Sequence, residues 1–262
     1  MDKFNFKKKY GQNFLRDDSV VSKIVNESNI PDNTLVIEVG PGAGILTKFL
    51  ACSARNVLCY EIDRDLESTL NTNLKNYTNV DIIFDDFLKR NIVDDISNYA
   101  YDQIYFISNV PYYITTPILM HIMESGLNID KIVMMIQKEV GDRFAAKPGK
   151  KEYSSITVFL NYYYQIKKLF YVSREEFVPK PNVDSVVISL ERKENVAVLN
   201  DDEKFFKLVR DSFKFKRKNL KNNLKGYPLD KIESVLQKYN YDLSVRAEEL
   251  DTNIFVDISN SI

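Results

Sequence analysis

The chain has no tryptophan, one histidine and two cysteines among its 262 residues. A single histidine, His121, leaves little for histidine-based metal chemistry or serine–histidine hydrolysis. Cys52 and Cys59 fall in a predicted helix and a predicted strand, so we expect two buried thiols and no disulfide. The sequence therefore predicts neither a metal site nor a disulfide framework.

Long apolar runs and a charge excess are also absent. No run approaches the roughly 20 residues that cross a bilayer, and residues 1–9 lack the apolar core of a signal peptide. We therefore expect a cytoplasmic protein without a membrane partner. The formal net charge of −1 argues against a uniformly basic coat, so any binding of nucleic acid must be local.

Short apolar runs alternate with helix-like segments, and they cover residues 35–39, 56–60, 80–84, 102–108 and 132–136. Such alternation predicts an α/β fold with a mostly parallel, doubly wound sheet. Two further runs, 169–172 and 186–190, could form an antiparallel edge. Helical spacing of apolar residues predicts one helix with a buried aromatic face at Ile156, Phe159, Leu160, Tyr163 and Tyr164.

The character of the sequence changes near residue 192, after which helical periodicity dominates. One amphipathic pattern includes Phe205 and Phe213, and a second includes Ile232 and Tyr239. We predict an α/β domain at 1–192, a linker at 193–200 and a small all-α domain at 201–262.

A glycine loop, Gly40-Pro41-Gly42-Ala43-Gly44, follows the first predicted strand. Its spacing differs from the dinucleotide fingerprint, and Pro41 removes an amide that could bind a pyrophosphate. Glu61 ends the next strand, where a carboxylate can accept hydrogen bonds from both hydroxyls of a ribose. Asp86 lies one strand further and could accept a hydrogen bond from an adenine amino group. With Glu38 beside the loop, these acids favour a cationic adenosyl ligand over a polyphosphate.

The tetrapeptide Asn109-Val110-Pro111-Tyr112 places an amide, a proline-fixed backbone and an aromatic ring after the fourth strand. Proline favours extended backbone before it and removes one donor, so carbonyl oxygens can face a pocket. These groups suit a planar exocyclic amine. The alternative is an Asn-x-Pro turn that only ends a strand.

With these motifs the chain resembles the ribosomal RNA adenine dimethyltransferases of the KsgA type. The resemblance runs nearly from end to end, through residues 11–15, 38–44, 109–117, 137–140, 177–185 and 216–224. It implies a Rossmann-like class I methyltransferase fold, a C-terminal helical RNA-binding domain and S-adenosyl-L-methionine as cofactor.

The resemblance also implies roles for particular residues toward the cofactor. Asn13 and Leu15 are expected at its methionine end, Gly40 in the loop, Glu61 at the ribose and Asp86 at the adenine.

Toward the substrate, the resemblance places Asn109 between cofactor and target base. We expect the Asn109 side-chain oxygen and the carbonyl of Val110 or Pro111 to accept from the adenine amino group. Tyr112 and Phe177 are expected to hold the target ring by stacking. Core packing is the alternative for Phe177.

Basic residues concentrate between positions 204 and 225, where nine lysines and arginines accompany one acid, Asp211. A basic helix is often only a solvated surface, yet this density can neutralise phosphates. Residues 7–9 and 147–151 could add a second contact. The predicted RNA-binding residues are Lys214, Lys216, Arg217, Lys218 and Lys221.

The function implied by the resemblance is N6,N6-dimethylation of two adjacent adenosines in a hairpin near the 3′ end of small-subunit rRNA. The partner would be an immature ribosomal subunit, and the enzyme a monomer. One alternative is Erm-type methylation of large-subunit rRNA, against which residues 216–224 argue. Another is a non-catalytic RNA chaperone or transcription-factor relative, which the intact 109–112 motif disfavours.

Overall fold

A computed structural model describes residues 14–15 and 18–262. The chain forms two compact units, the first from Met1–Gly141 and Lys167–Glu191, the second from Asp142–Ile166 and Arg192–Ile262. The second unit thus takes in residues 142–166, which precede the predicted boundary at 192. The domain limits 1–192, 193–200 and 201–262 remain a prediction.

The main sheet has seven strands. In chain order the strands of the described residues are β1 Phe14–Leu15, β2 Thr34–Val39, β3 Asn56–Tyr60, β4 Val80–Ile83, β5 Gln103–Ser108, β6 Lys131–Gln137, β7 Tyr164–Val172, β8 Phe177–Val178 and β9 Ser185–Arg192. The seven-stranded sheet has the order β4-β3-β2-β5-β6-β9-β7, and β1 pairs with β8 separately. Neighbours from β4 to β6 are parallel, and β9 is antiparallel to β6.

Strand β2 is the third of the seven strands and is buried along its whole length. An interior parallel strand is covered on both faces, which is why most of its residues are apolar. The chain builds outward from β2 to β3 and β4, then returns to the other side of β2 with β5 and β6. The strand order therefore reverses between β2 and β5. Open α/β sheets bind ligands at the carboxyl end of this reversal.

Among the described residues, six α-helices begin in the first unit: α1 Asp18–Ser28, α2 Ile45–Ser53, α3 Glu67–Leu74, α4 Ile92–Ile96, α5 Thr115–Glu124 and α6 Lys138–Phe144. Helix α1 buries Val21, Ile24 and Val25 at helical spacing. Its apolar face joins the core cluster that also contains Val36 and Val57 of the sheet. The helices thus follow the alternating order that the sequence predicts.

The second unit is helical, with α7 Ser155–Tyr163, α8 Asp202–Ser212, α9 Leu220–Asn223, α10 Leu229–Lys238 and α11 Thr252–Ser261. Asp201 caps α8 by accepting a hydrogen bond from the Lys204 amide at 2.9 Å. The ring of Phe159 on α7 packs 4.7 Å from that of Phe206 on α8, measured between centroids. Aromatic side chains of α7 and α8 therefore form much of this unit's core.

The five parallel strands and the antiparallel edge are confirmed. The predicted helix is wrong at Tyr164, which is the first residue of β7. Burial of Cys52 is also wrong, because this thiol is exposed while Cys59 is buried. The two-residue strands β1 and β8 have no periodicity that sequence analysis could detect. Within the described ranges, no helix has the length and apolar content of a membrane span.

Candidate active site

A cavity of about 250 Å³ lies at the carboxyl ends of β2 and β5. Its walls come from the loop after β2, the ends of β3 and β4, and residues 109–114 after β5. The Ser108 hydroxyl donates to the carbonyl oxygen of Val39 at 2.6 Å and ties the two strand ends together. The cavity thus occupies the position that the strand reversal predicts.

The glycine loop passes close to the loop after β5. Gly40, Gly42 and Gly44 have φ values of +74°, +60° and +81°, which side chains rarely tolerate. A Cβ at Gly40 would lie 3.8 Å from Cδ of Pro111. The side-chain amide of Asn73, on α3, donates a hydrogen bond to the carbonyl oxygen of Ala43 at 2.9 Å and so helps to fix the glycine loop. The positive φ value, and not a lack of space beside Pro111, therefore favours glycine at Gly40.

Glu61 follows β3 and is 3% exposed. The amides of Gly42 and Asp63 donate to its two carboxylate oxygens at 3.2 and 2.8 Å. Burial raises the pKa of Glu61, and these amide hydrogen bonds partly oppose the increase. Each oxygen keeps acceptor capacity toward the cavity. The carboxylate is thus held in place, ready to accept two neighbouring hydroxyl groups.

Glu38, the fifth residue of β2, also faces the cavity but is only 1% exposed. Thr47 of α2 donates its hydroxyl hydrogen to Oε2 of Glu38 at 2.7 Å, and the Cys59 thiol approaches the same oxygen at 3.6 Å. Burial raises the pKa of Glu38 to about 7, against the lowering effect of these two hydrogen bonds. The thiol is itself buried, which raises the pKa of Cys59.

The third acid, Asp86, caps a short helix after β4 and accepts from the Leu88 amide at 3.1 Å. It is half-buried and lines the cavity with Ile62 and Leu88. Sequence analysis missed both apolar residues, although each follows a predicted acid closely in the chain. An acid beside an apolar wall suits a flat base that also offers an amino group.

The predicted Asn109–Tyr112 motif lines the same cavity. Asn109 is half-buried, Val110 is buried, and Pro111 has extended backbone with φ −56° and ψ 133°. The Tyr112 hydroxyl lies 2.7 Å from Oγ of Ser185, which starts β9. Burial raises the pKa of Tyr112, so its hydroxyl stays protonated near neutral pH. The motif is therefore more than a turn, since it forms a wall of the cavity.

The comparisons with known proteins identify the family of this chain. A family model described as ribosomal RNA adenine dimethylase matches residues 3–262. The chain belongs to the ribosomal RNA adenine dimethylase family. It is accordingly a methyltransferase, and ribosomal RNA is the substrate of its family.

Similar proteins include the ribosomal RNA small subunit methyltransferase A of Streptococcus gordonii, with 43% identity over 99% of this chain and 92% of the relative. The protein of the same name from Streptococcus pneumoniae strain P1031 is 42% identical with the same coverage. Among solved structures, a dimethyladenosine transferase from Plasmodium falciparum has a TM-score of 0.77 and 26% identity, covering 94% of this chain and 95% of that one. The 23S rRNA methyltransferase ErmE has a TM-score of 0.71 and 26% identity, covering 94% and 98%.

Of the other residues predicted for this dimethylase site, the structure brings only Leu15 to the cavity. Phe177 is 1% exposed in β8, opposite Leu15, and belongs to a core cluster. This placement favours the packing interpretation over stacking on a substrate base, and the stacking role remains a prediction. Asn13 and the basic residues 7–9 lie outside the described residues.

Sequence analysis also missed Tyr113, which lines the cavity with 59% of its surface exposed. His121 makes a 3.0 Å hydrogen bond between Nε2 and the Arg90 carbonyl and packs edge-on against Phe87. In the described part of the chain, no group of three or more histidine, cysteine or acidic residues could hold a metal ion.

The predicted RNA-binding residues lie in the second unit, and all five are exposed. Three other basic residues of the 204–225 run are engaged internally. Lys207 pairs with Asp211 at 2.7 Å, Arg210 stacks over Phe206, and Lys204 donates to the Ile262 carbonyl. Most of the exposed basic side chains of the run therefore lie after α8, and one of them, Lys216, also donates to the carbonyl oxygen of Lys151.

Proposed function

We propose that this dimethylase transfers methyl groups from S-adenosylmethionine to N6 of two adjacent adenosines in small-subunit rRNA. Its substrate is an immature ribosomal subunit in the cytoplasm, and it acts as a monomer. Support comes from relatives named for the small subunit that align with 99% of this chain. The observation that carries the proposal is the cavity that joins the glycine loop to residues 109–112.

The residues that line the cavity offer the groups that S-adenosylmethionine requires. Glu61 would accept hydrogen bonds from the two ribose hydroxyls, and Asp86, beside Ile62 and Leu88, would accept one from the adenine amino group. Gly40 and Leu15 would hold the methionine end. S-adenosylmethionine supplies an electrophilic methyl group when bound. The nearby Glu38, with its pKa of about 7, adds negative charge toward a cationic ligand as pH rises.

The second substrate, an adenine, enters beside Asn109. The Asn109 side-chain oxygen and the carbonyl of Val110 or Pro111 would accept hydrogen bonds from the amino group and orient its nitrogen. The bound cofactor would supply the methyl group to this nitrogen, and the surplus proton of the amino group would pass to water. Tyr112 stacks on the ring. Positioning carries most of the rate enhancement, since the methyl group is already activated.

Mass spectrometry of both rRNAs tests the target. The enzyme is incubated with labelled cofactor and with undermethylated small or large ribosomal subunits. Two dimethyladenosines in small-subunit rRNA alone would support the proposal. Label in large-subunit rRNA would favour the Erm-type alternative. The structural similarity to ErmE is the observation that supports this alternative. No label in either would favour a non-catalytic role.

Asn109→Ala tests the site. Turnover should fall at least about 100-fold because the amino group loses an acceptor that positions it, while RNA affinity changes less than about threefold. Asn128→Ala, at an exposed asparagine of the first unit, is the matched control and should leave both unchanged. Equal losses of turnover and RNA affinity in Asn109→Ala would assign this residue a structural role.

A further inference from the structure

An exposed aromatic ring lies within the most basic segment of the chain. We call residues 213–219, between α8 and α9, the basic loop; it contains Lys214, Lys216, Arg217 and Lys218. Phe215 is 56% exposed, and it is the only exposed phenylalanine among those whose side chains the structure describes. Single exposed apolar residues are common. Exposure alone therefore does not make Phe215 a binding site, and the residues around it have to be considered.

The backbone of the basic loop is fixed by one side chain. The Asn223 side-chain oxygen accepts from the Phe215 amide at 3.1 Å. The Asn223 amide group donates to the carbonyl of Ser212 at 2.8 Å, and to those of Phe215 and Lys218 at 3.3 Å each. The Lys218 amide also donates to the Phe215 carbonyl at 2.8 Å. Both backbone groups of Phe215 are therefore anchored while its ring faces solvent.

Basic side chains lie close to the ring. Nζ of Lys214 lies 5.7 Å from the centroid of the Phe215 ring. Lys216 donates to the carbonyl of Lys151, which places the exposed basic segment 147–151 beside the basic loop. The one acid of the 204–225 run, Asp211, is paired with Lys207. A polyanion that reaches the ring therefore also reaches Lys214 and the adjoining basic segment.

We infer that Phe215 is a stacking platform for an unpaired base of the RNA, with the surrounding cations on the flanking phosphates and Asn223 as the residue that positions it. Sequence-tolerant single-strand binding combines an aromatic face with basic side chains in this way. An anchored backbone lowers the entropy lost when a base docks. The inference rests on the proposed RNA substrate but concerns a surface of the second unit and not the cavity.

The chain contains no tryptophan, so Phe215→Trp introduces a single fluorescent reporter. Stacking of octaadenylate RNA should quench it. Val93→Trp is the control, because Val93 is 44% exposed on α4 of the first unit and lies outside the basic loop. Its fluorescence should not change. An unquenched F215W that still binds octaadenylate by anisotropy would overturn the inference.

Affinity gives a second, independent readout. Phe215→Leu should bind octaadenylate at least about fivefold more weakly, which is about 1 kcal/mol, the lower end of base stacking on an aromatic ring. Its salt slope and its affinity for a 16-base-pair RNA duplex should not change, and Phe215→Tyr should retain wild-type affinity. Equal losses on both RNAs, no loss at all, or failure of the wild type to bind octaadenylate would refute the stacking role. These measurements need no methyl transfer, so they stand apart from failure of the proposed function.

Discussion

Replacing Glu38 by glutamine should remove a pH dependence of stability. The folded protein raises the pKa of this buried carboxyl from 4.5 to about 7. Between these values the folded state binds more protons than the unfolded state, so stability falls as pH rises through this window. With about 1.4 kcal/mol for each unit of pKa shift, the wild type should lose about 2–3 kcal/mol of unfolding free energy between pH 5 and pH 8 through this group.

Glutamine does not titrate. The unfolding free energy of Glu38→Gln minus that of wild type should therefore increase by about 2–3 kcal/mol when the pH is raised from 5 to 8. Urea unfolding followed by circular dichroism at the two pH values measures this difference. Glu27→Gln, at an exposed carboxyl of α1, is the control and should show a much smaller change. The reasoning would be refuted if the difference in unfolding free energy between Glu38→Gln and wild type changed by less than about 0.5 kcal/mol from pH 5 to pH 8.

Three further predictions concern the cofactor and the RNA. Gly40→Ala and Gly126→Ala should each cost about 1–2 kcal/mol of unfolding free energy, since both glycines have positive φ. Only Gly40→Ala should weaken binding of S-adenosylhomocysteine in calorimetry, because open space surrounds Gly126; equal affinities would contradict this. Glu61→Gln should weaken the same ligand about 10- to 150-fold, the equivalent of one hydrogen bond to a charged group, and an unchanged Kd would remove Glu61 from the site. Neutralising residues 216–218 should lower the salt slope of RNA binding by about 0.9 for each phosphate left without its cation, and an unaltered slope would contradict their role.

The interior strands β2, β5 and β6 were predictable because they are buried on both faces. Four of the six residues of β2 are apolar, and the glycine loop marks where the strand ends. Tyr164 shows the limit of this reasoning. It is buried and continues the helical spacing of α7, yet the backbone becomes extended there. Local spacing does not reveal that β7 needs these residues as the edge of the sheet.

The candidate site was predictable where residues end strands, as Glu61, Asp86 and Asn109 do. Parallel strands bring such residues to one edge whatever the sequence between them. Contacts from remote parts of the chain were not predictable. Ser185 lies within a motif of the resemblance, but only the sheet order shows that its hydroxyl meets Tyr112. Likewise, Phe177 is an aromatic residue of the kind that stacks on bases. Only the structure shows that it pairs with Leu15 and is buried.

The aromatic core shared by α7 and α8 is assembled from two segments that are separated in the chain by the strands β7, β8 and β9. During synthesis α7 leaves the ribosome first, so the ring of Phe159 stays uncovered until Phe206 has been made. A chain shortened near residue 192 would keep that ring face permanently in water and would be prone to aggregate. The helices after residue 192 therefore cannot be removed without consequence, because their removal would expose aromatic residues of α7, which lies earlier in the chain.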